Sequence, residues 1–477
     1  MSKFWNAFFV LTALIVTMFV NSCVKFPDIP KPVDYGFTDY LYPFNEEVRG
    51  VSAVISIVPN GNLNTRDISV EIPFLKYNKS WLFTLTQDDC KHAAYSWTWA
   101  AINGYPLSND YFYNFKNNWA DDFPPDHFYL GKTLGSTDGA GNEVRFSFTT
   151  TLAPQESWMD DKTVVDKNNK YRFTMKSGLV WENVREILNY GNSIAFHNVK
   201  TDETNKDSIY INLFKAQDIV IEKLKGRGMK FLAEPDGNKK YIDAAMMFPD
   251  IKVLTAQNGQ VVDLFPYIEV GPLDKVLIKR VFYQNDQEFK MINDVMDNLA
   301  QKTDMRKAIN IGVHGVDNVW ISNLVWLNDE YGKEGDDSMW FTSLEEYFEY
   351  YYYRKNSVIK VQQNQEKVVV SVNIPMEKFF FYPSLTLNIR GITLKDVASL
   401  SSSDEVTGLS YADFTDQNGE TMLMVNIDCR KYLMEHAIHF IERYEKLGKE
   451  PHKRDALYFT SKLKESDAKR ELLQRIK

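Results

Sequence analysis

The chain predicts an α/β fold, a (β/α) barrel of parallel strands followed by a C-terminal β-rich domain. Three observations carry this expectation. Between Trp81 and His314 short apolar runs alternate with amphipathic stretches, the pattern of βα units. Six or seven such units fall within roughly 235 residues, a density that favours a barrel over an open sheet. Beyond residue 326 the pattern changes to β-rich segments punctuated by Gly and Asp clusters.

Trp81-Leu82-Phe83-Thr84-Leu85-Thr86 reads as a buried strand, and His92 to Ala101 follows as a helix stopped by Gly104. Val180 to Tyr190 has helical spacing and ends at Gly191, which suits a C-cap. Ser193 to Phe196 is the next strand, and Ile209 to Leu224 is a helix closed by Gly226 and Gly228. Lys230 to Ala233, Val276 to Phe282 and Ala308 to Val313 are further strands, with helices at Tyr241 to Met247 and Phe289 to Ala300 between them.

In the C-terminal third, the aromatic-rich stretch Glu345 to Arg354 predicts a helix that packs between domains. Ser357 to Ile374, Phe379 to Ile389 and Thr421 to Ile427 predict a small antiparallel sandwich, with Lys367 to Val372 its strongest strand. Leu433, Ala437, Phe440, Ile441 and Tyr444 line one face of an amphipathic helix. The charged stretch Lys462 to Lys477 predicts a solvated helix or frayed tail. Val51 to Glu71 alternates like strands and either joins the sandwich or flanks the barrel.

The N-terminus differs from all of this. Lys3 is the only charge before the apolar run Phe4 to Val20, which Asn21, Ser22 and Cys23 follow. A basic start, an apolar core and small residues before a cut site describe a signal peptide. A retained membrane anchor is the alternative, although the run is near the minimum length for a span. Pro27, Pro30 and Pro32 make the following segment an extended tether. The expected organisation is therefore 1–22 signal peptide, 23–48 tether, 49–325 barrel with N-terminal strands, and 326–477 β-rich domain with terminal helices.

The net charge is −9, and removing Lys3 with the leader makes it −10. That acidity argues against nucleic acid or anionic lipid as a partner. Aromatics make up 14% of the chain, which suits a carbohydrate-handling surface and a β-rich core equally well. Beyond Cys23 only Cys90 and Cys429 remain, so a single disulfide is the most the chain can form. Cys90 reads as a small buried hydrophobe.

Polar residues gather at strand ends. Asp88 and Asp89 lie just past the first strand, His197 ends the second, and His314 ends the last. The C-terminal ends of parallel barrel strands converge on one mouth, so these four form a candidate metal or acid–base site. Each alone has an ordinary explanation as a helix cap or a structural histidine.

Thr86-Gln87-Asp88-Asp89 resembles the Thr-Phe-Asp-Asp motif of the NodB-type polysaccharide deacetylases, carbohydrate esterase family 4. The resemblance implies a distorted barrel of the glycoside hydrolase and deacetylase type, with Asp88 as catalytic base and Asp89 as ligand of a divalent metal, usually zinc. Ser193 to His197 resembles the second motif and implies His197 as a ligand, but Thr201 stands where a second histidine is expected. Asp202 or His92 could complete the set. Phe231 to Gly237 resembles the Arg-x-Pro motif, with Ala233 in place of the arginine. Ile311-Gly312-Val313-His314 resembles the last motif, which implies His314 as general acid. The likeness covers roughly residues 75 to 320. Val20-Asn21-Ser22-Cys23 likewise resembles a bacterial lipobox, which implies lipidation of Cys23 and a place in the cell envelope. That place is the outer membrane, periplasmic or surface-facing, with the lipid as the only contact with the membrane.

Asp89 and His197 are 108 positions apart, leaving room for an insertion near 103–175. The expectation is a loop or hairpin over the barrel mouth that shapes the substrate cleft. Two functions follow. One is metal-dependent removal of acetyl groups from a polysaccharide or oligosaccharide. The other is a catalytically inactive, glycan-binding lipoprotein on the same scaffold. A glycoside hydrolase would need a second opposed carboxylate, which the sequence does not place.

Overall fold

The computed structural model describes residues 35–42, 49–61, 67–174, 178–269, 271–284, 287–314, 318–364 and 366–477. Cys23, the leader and the three tether prolines lie outside them. Along the chain, β1 (Val51–Pro59) and β2 (Ser69–Glu71) precede β3 (Trp81–Gln87), the strand from which the central sheet is built. All seven residues of β3 are buried, as a parallel strand covered on both faces requires.

A short hairpin, β4 (Gly135–Thr137) and β5 (Glu143–Arg145), comes next. The parallel strands resume with β6 (Thr149–Leu152), β7 (Ser193–Phe196), β8 (Phe231–Ala233) and β9 (Val253–Ala256). They end with β10 (Leu277–Lys279), β11 (Val281–Phe282) and β12 (Ile309–Val313). Their spatial order is β10-β9-β8-β7-β6-β3-β12-β11. Only Arg280 separates β10 from β11, so the two ends of the sheet are one continuous stretch of chain. The sheet thus curls into a distorted barrel, as the sequence predicts.

Alternation divides the strand side chains between two cores. Trp81, Phe83 and Leu85 face the surrounding helices, with Ile194, Leu232 and Ile311 beside them. Leu82, Phe231, Val253 and Ile278 point the other way and share a core that continues into the C-terminal sheets. The first helical segment opens as a π-helical stretch, Ala94–Trp99, and stops at Gly104 in the left-handed region at φ 67°.

Beyond β13 (Met339–Phe341), which pairs with the start of β3, lie the antiparallel strands. These are β14 (Val358–Gln363), β15 (Val368–Ile374), β16 (Ser384–Arg390), β17 (Val397–Ser402), β18 (Gly408–Thr415) and β19 (Thr421–Asp428). They form two four-stranded sheets, β14-β15-β1-β17 and β18-β19-β16-β2. The N-terminal strands therefore join the sandwich rather than flank the barrel, with Val51 to Ile57 running antiparallel to Val368 to Ile374. Ile55, Val370, Leu387 and Val425 meet between the sheets.

A buried ion network joins the sandwich to the barrel. Lys230, immediately before β8, places its ammonium 2.6 Å from both Glu345 and Glu349 and 2.6 Å from the Phe379 carbonyl. Arg227 pairs with Glu345 at 3.0 Å and donates to the Tyr40 hydroxyl at 2.8 Å. Both glutamates lie on the aromatic helix Leu344–Asn356, whose Tyr347, Phe348, Tyr350 and Tyr353 are buried as expected of a packing element. The same contacts seat part of the expected tether. Thr38 and Asp39 accept hydrogen bonds from Arg185 and Asn189 on the helix Trp181–Asn189.

Several expectations change. The region 103–175 is not one excursion over the mouth, because it contains the barrel strand β6. The β4–β5 hairpin lies at the strand starts, where Thr137 bonds to Asp337, which also pairs with Lys79 just before β3. The connection that leaves the end of β6 departs on the mouth side. The C-terminal stretch is not simply a solvated tail, since the helix Asp467–Arg475 buries Leu472 and Ile476 is buried just beyond it. Cys90 and Cys429 are both free and buried, so they form no disulfide.

Replacing Lys230 with Met removes one partner from a fully buried network and leaves Glu345 and Glu349 facing each other. The expected loss is about 3–5 kcal/mol of unfolding free energy in urea titration. A loss below about 1 kcal/mol, the range of a surface pair, would contradict this account of the barrel–sandwich junction.

Candidate functional site

The site is made where β3, β7 and β12 end together. β3 leaves the barrel through a sharp turn in which Asp89 and Cys90 both adopt left-handed backbone, at φ 63° and 51°. Non-glycine residues hold such angles only where their surroundings fix them. Here the Asp88 amide donates to the Val313 carbonyl at 2.8 Å, and the Cys90 amide reaches the Thr151 hydroxyl at 3.3 Å. The turn separates the two carboxylates. Asp88 is buried in the barrel, whereas the Asp89 side chain is about one-third exposed at the mouth.

Asp88 does not sit in the barrel unpaired. Arg280 approaches it end-on, with Nη1 2.9 Å from Oδ1 and Nη2 2.8 Å from Oδ2, a bidentate arrangement. Arg280 Nη2 also donates to the Glu234 carbonyl at 2.8 Å, which fixes the guanidinium plane. A glycine on the neighbouring strand β12 leaves room for it. A Cβ at Gly312 would lie 2.8 Å from the Phe282 ring and 3.2 Å from Arg280 Nη1. Sequence reasoning missed Arg280, because it lies inside an apolar run that reads as one strand. It supplies a buried guanidinium to a site whose resembled motif has Ala233 in place of the arginine.

His197 ends β7 with its ring nitrogens assigned by their neighbours. Nδ1 lies 2.9 Å from the Ala233 carbonyl, which can only accept, so Nδ1 carries the proton. Nε2 then faces the carboxylates, 3.4 Å from Asp89 Oδ1 and 3.9 Å from Asp88 Oδ2. Burial alone pulls the imidazole toward its neutral form, but Asp88 first, then Asp89 and the Ala233 carbonyl, leave its pKa raised. His314 completes the group, with Nε2 3.8 Å from Asp89 Oδ2 and its ring 4.5 Å from that of Phe282. The His197 contact, against the opposing effect of burial, holds Asp89 well below the usual carboxylate range.

The other ligand candidates are engaged elsewhere. His92 packs between Tyr95 and Phe112, with Nδ1 3.3 Å from the Ser96 hydroxyl. Asp202 accepts from Thr204 at the surface, and Thr201 accepts from Asn212. Lys91, 3.4 Å from Asp89 Oδ2, is a neighbour the sequence did not single out. Burial pushes the Cys90 thiol up to about 12, which rules it out as a nucleophile at neutral pH.

Among the described residues no group of three or more His, Cys, Asp or Glu side chains stands close enough together to hold a metal ion. Asp89, His197 and His314 form an open group instead. An ion with bonds of about 2.1 Å in tetrahedral coordination sets its ligand atoms about 3.4 Å apart. His197 Nε2 stands at that spacing from Asp89 Oδ1, while His314 Nε2 is 3.8 Å from the other oxygen, Oδ2. The donor types, one carboxylate and two imidazoles with one tautomer fixed, are those that ligate zinc and similar divalent ions.

A family model described as "Putative polysaccharide deacetylase" matches residues 53–477. That range covers barrel, sandwich and terminal helices together, and the chain belongs to this family. No curated protein matches the chain.

The electrostatics give a direct test on metal-free protein. Because folding raises the His197 pKa, protonation stabilises the fold below the ordinary value of about 6.5. That contribution fades as pH rises through the folded midpoint. Asp88 is the foremost group raising this pKa, so Asp88→Asn is expected to lower the His197 midpoint in an NMR titration. An unchanged or higher midpoint would remove Asp88 from this assignment.

Proposed function

We propose that this member of the polysaccharide deacetylase family hydrolyses acetyl amide or ester bonds on a glycan, with Asp88 as base beside a divalent metal, in the first instance zinc. The observation that supports it is the pairing of Asp88 with Arg280 directly beside Asp89, His197 and His314. Asp89 and His197 would hold the ion, and His314 would be its third protein ligand rather than the general acid. Once bound, the ion supplies Lewis acidity and lowers the pKa of nearby water.

Arg280 pairs with both oxygens of the buried Asp88 and fixes the direction of its lone pairs. Asp88 accepts a proton from the attacking water as oxygen bonds to the acetyl carbon. The carbon–nitrogen or carbon–oxygen bond then breaks, and Asp88 returns that proton to the leaving amine or alcohol. Acetate and the deacetylated glycan are the products. His197 holds its tautomer through Ala233, so Nε2 stays aimed at the mouth.

We extend the proposal to location. Cys23 carries the lipid that attaches the domain to the cell envelope, and Cys23→Ser is expected to move the protein from membrane to soluble fractions.

The activity test is acetate release from acetylated oligosaccharides by the purified chain. Asp88→Asn is expected to lower the rate by about 10²–10⁴-fold, the range for loss of a general acid–base group. Both His197→Ala and His314→Ala are expected to lose bound zinc. Zinc retained by His314→Ala with activity lost would return His314 to the role of general acid. No acetate release from any acetylated glycan by zinc-loaded wild type would leave a glycan-binding scaffold as the better account.

A further inference from the structure

The outer flank of the barrel carries a second candidate site, at the seam where the sheet closes. β11 pairs with β12 only through Val281 and Phe282, opposite Ile311 and Gly312. Nearer the strand starts, residues 262–264 cross the seam instead. The Val262 amide donates to the Leu277 carbonyl at 3.0 Å, and the Ala308 amide donates to the Leu264 carbonyl at 2.7 Å. The helix Glu288–Leu299 covers the outside of this seam. A cavity of about 510 Å³ remains between helix, crossing segment and strands.

Its wall is mixed. Val281 and Ile309 come from the strands, Phe265 follows the crossing segment, and Met305 lies in the turn before β12. Met305 is 57% exposed, and a thioether adapts its shape to what it touches. Most charges around the wall are already paired. Lys307 stands 3.4 Å from Asp263, and Asp294 accepts from the Tyr283 hydroxyl at 2.5 Å and from Lys290 at 2.9 Å. Lys279 and Asp297 remain, opposite in sign, exposed, and without an ion pair among the described residues. Asn298 donates to the Lys307 carbonyl at 2.9 Å, and its amide oxygen has no donor among the described residues. Unlike the enclosed orphan atoms elsewhere in the chain, that oxygen is open to solvent.

The wall therefore carries no surplus charge, yet it offers both donors and acceptors beside apolar surface. An anion would be opposed by Asp297, and a cation by Lys279. A hydrocarbon would take both from water without replacing their hydrogen bonds. The complementary ligand is uncharged, donates and accepts through several hydroxyls, and has an apolar C–H face, which describes a sugar ring. The volume falls within the range of about 300–1,000 Å³ typical of small-ligand pockets. We propose that this cavity binds a neutral sugar unit and holds a glycan without cleaving it. Ile309 begins the strand just beyond whose far end His314 stands, which sets the site on the order of 15 Å from the mouth. Such binding stands whether or not the mouth is hydrolytic.

Titration calorimetry of the metal-free full chain with maltose, cellobiose and N,N′-diacetylchitobiose, all neutral disaccharides, tests this. Saturable binding of at least one is expected. Lys279→Met and Asp297→Ala each remove an exposed side chain without orphaning an ion-pair partner, and together are expected to weaken it roughly tenfold or more. Met305→Ala, which trims the apolar wall, should weaken it measurably and serves if the double variant misfolds. His314→Ala, at the mouth, should leave it unchanged. No saturable binding of any of these sugars, or binding that the cavity variants leave intact, would overturn the proposal. Tighter binding of a uronic-acid disaccharide or of the diamine chitobiose than of the neutral sugars would overturn the assigned class.

Discussion

The contact between Arg280 and Asp88 is where the barrel and its site become one structure. Arg280 is the single residue between β10 and β11, at the point where one stretch of chain changes partner from β9 to β12. Its backbone amide still bonds to Ala256 while its side chain crosses the interior to Asp88. The residue that closes the sheet therefore also pays for burying the carboxylate. In this arrangement the residue that holds Asp88 in place also lies where the sheet closes. Gly312 belongs to the same constraint, because any side chain there would press on Arg280 and Phe282.

From this pair outward the site is a sequence of fixed directions. Asp88 faces inward and Asp89 outward because the turn between them has left-handed backbone. The Ala233 carbonyl fixes the His197 tautomer, so a position that looks like a lost arginine contributes through its backbone. His314 and His197 bracket the two oxygens of Asp89 from different strands. An arrangement drawn from β3, β7, β8, β10 and β12 persists only if the whole barrel holds its register. The buried Lys230 network supports that register from the other end, by tying the start of β8 to the sandwich.

Much of this was legible in the sequence where a local pattern sufficed. β3, β7 and β12 are continuous apolar runs, and the acidic and histidine residues stand just after them. Other elements were not legible, for physical reasons. β6 is built from Thr149, Thr150 and Thr151, all fully buried, which an apolar-run criterion does not see. β9 has only four residues, between Pro249-Asp250 and Asn258-Gly259, too few for a period to show. Pairing of β1 with β15 spans more than 300 residues, and no local period encodes such a contact. Arg280 carried one faint signal, a charge at a position whose alternation from Ile278 points inward. The sequence offers Asp202, Thr201 and His92 as partners for His197, whereas in the structure His314, 117 positions away, meets the same Asp89 carboxylate.

Under the proposed function, Asp89, His197 and His314 share one ion beside Asp88. The most direct measurement is a crystal structure of the zinc-soaked protein with anomalous diffraction collected on both sides of the zinc edge. One anomalous peak is expected within bonding distance of Asp89 and both histidines, with Asp88 still paired to Arg280. A fully soaked crystal with no peak at the mouth, or a peak that excludes His314, would contradict it.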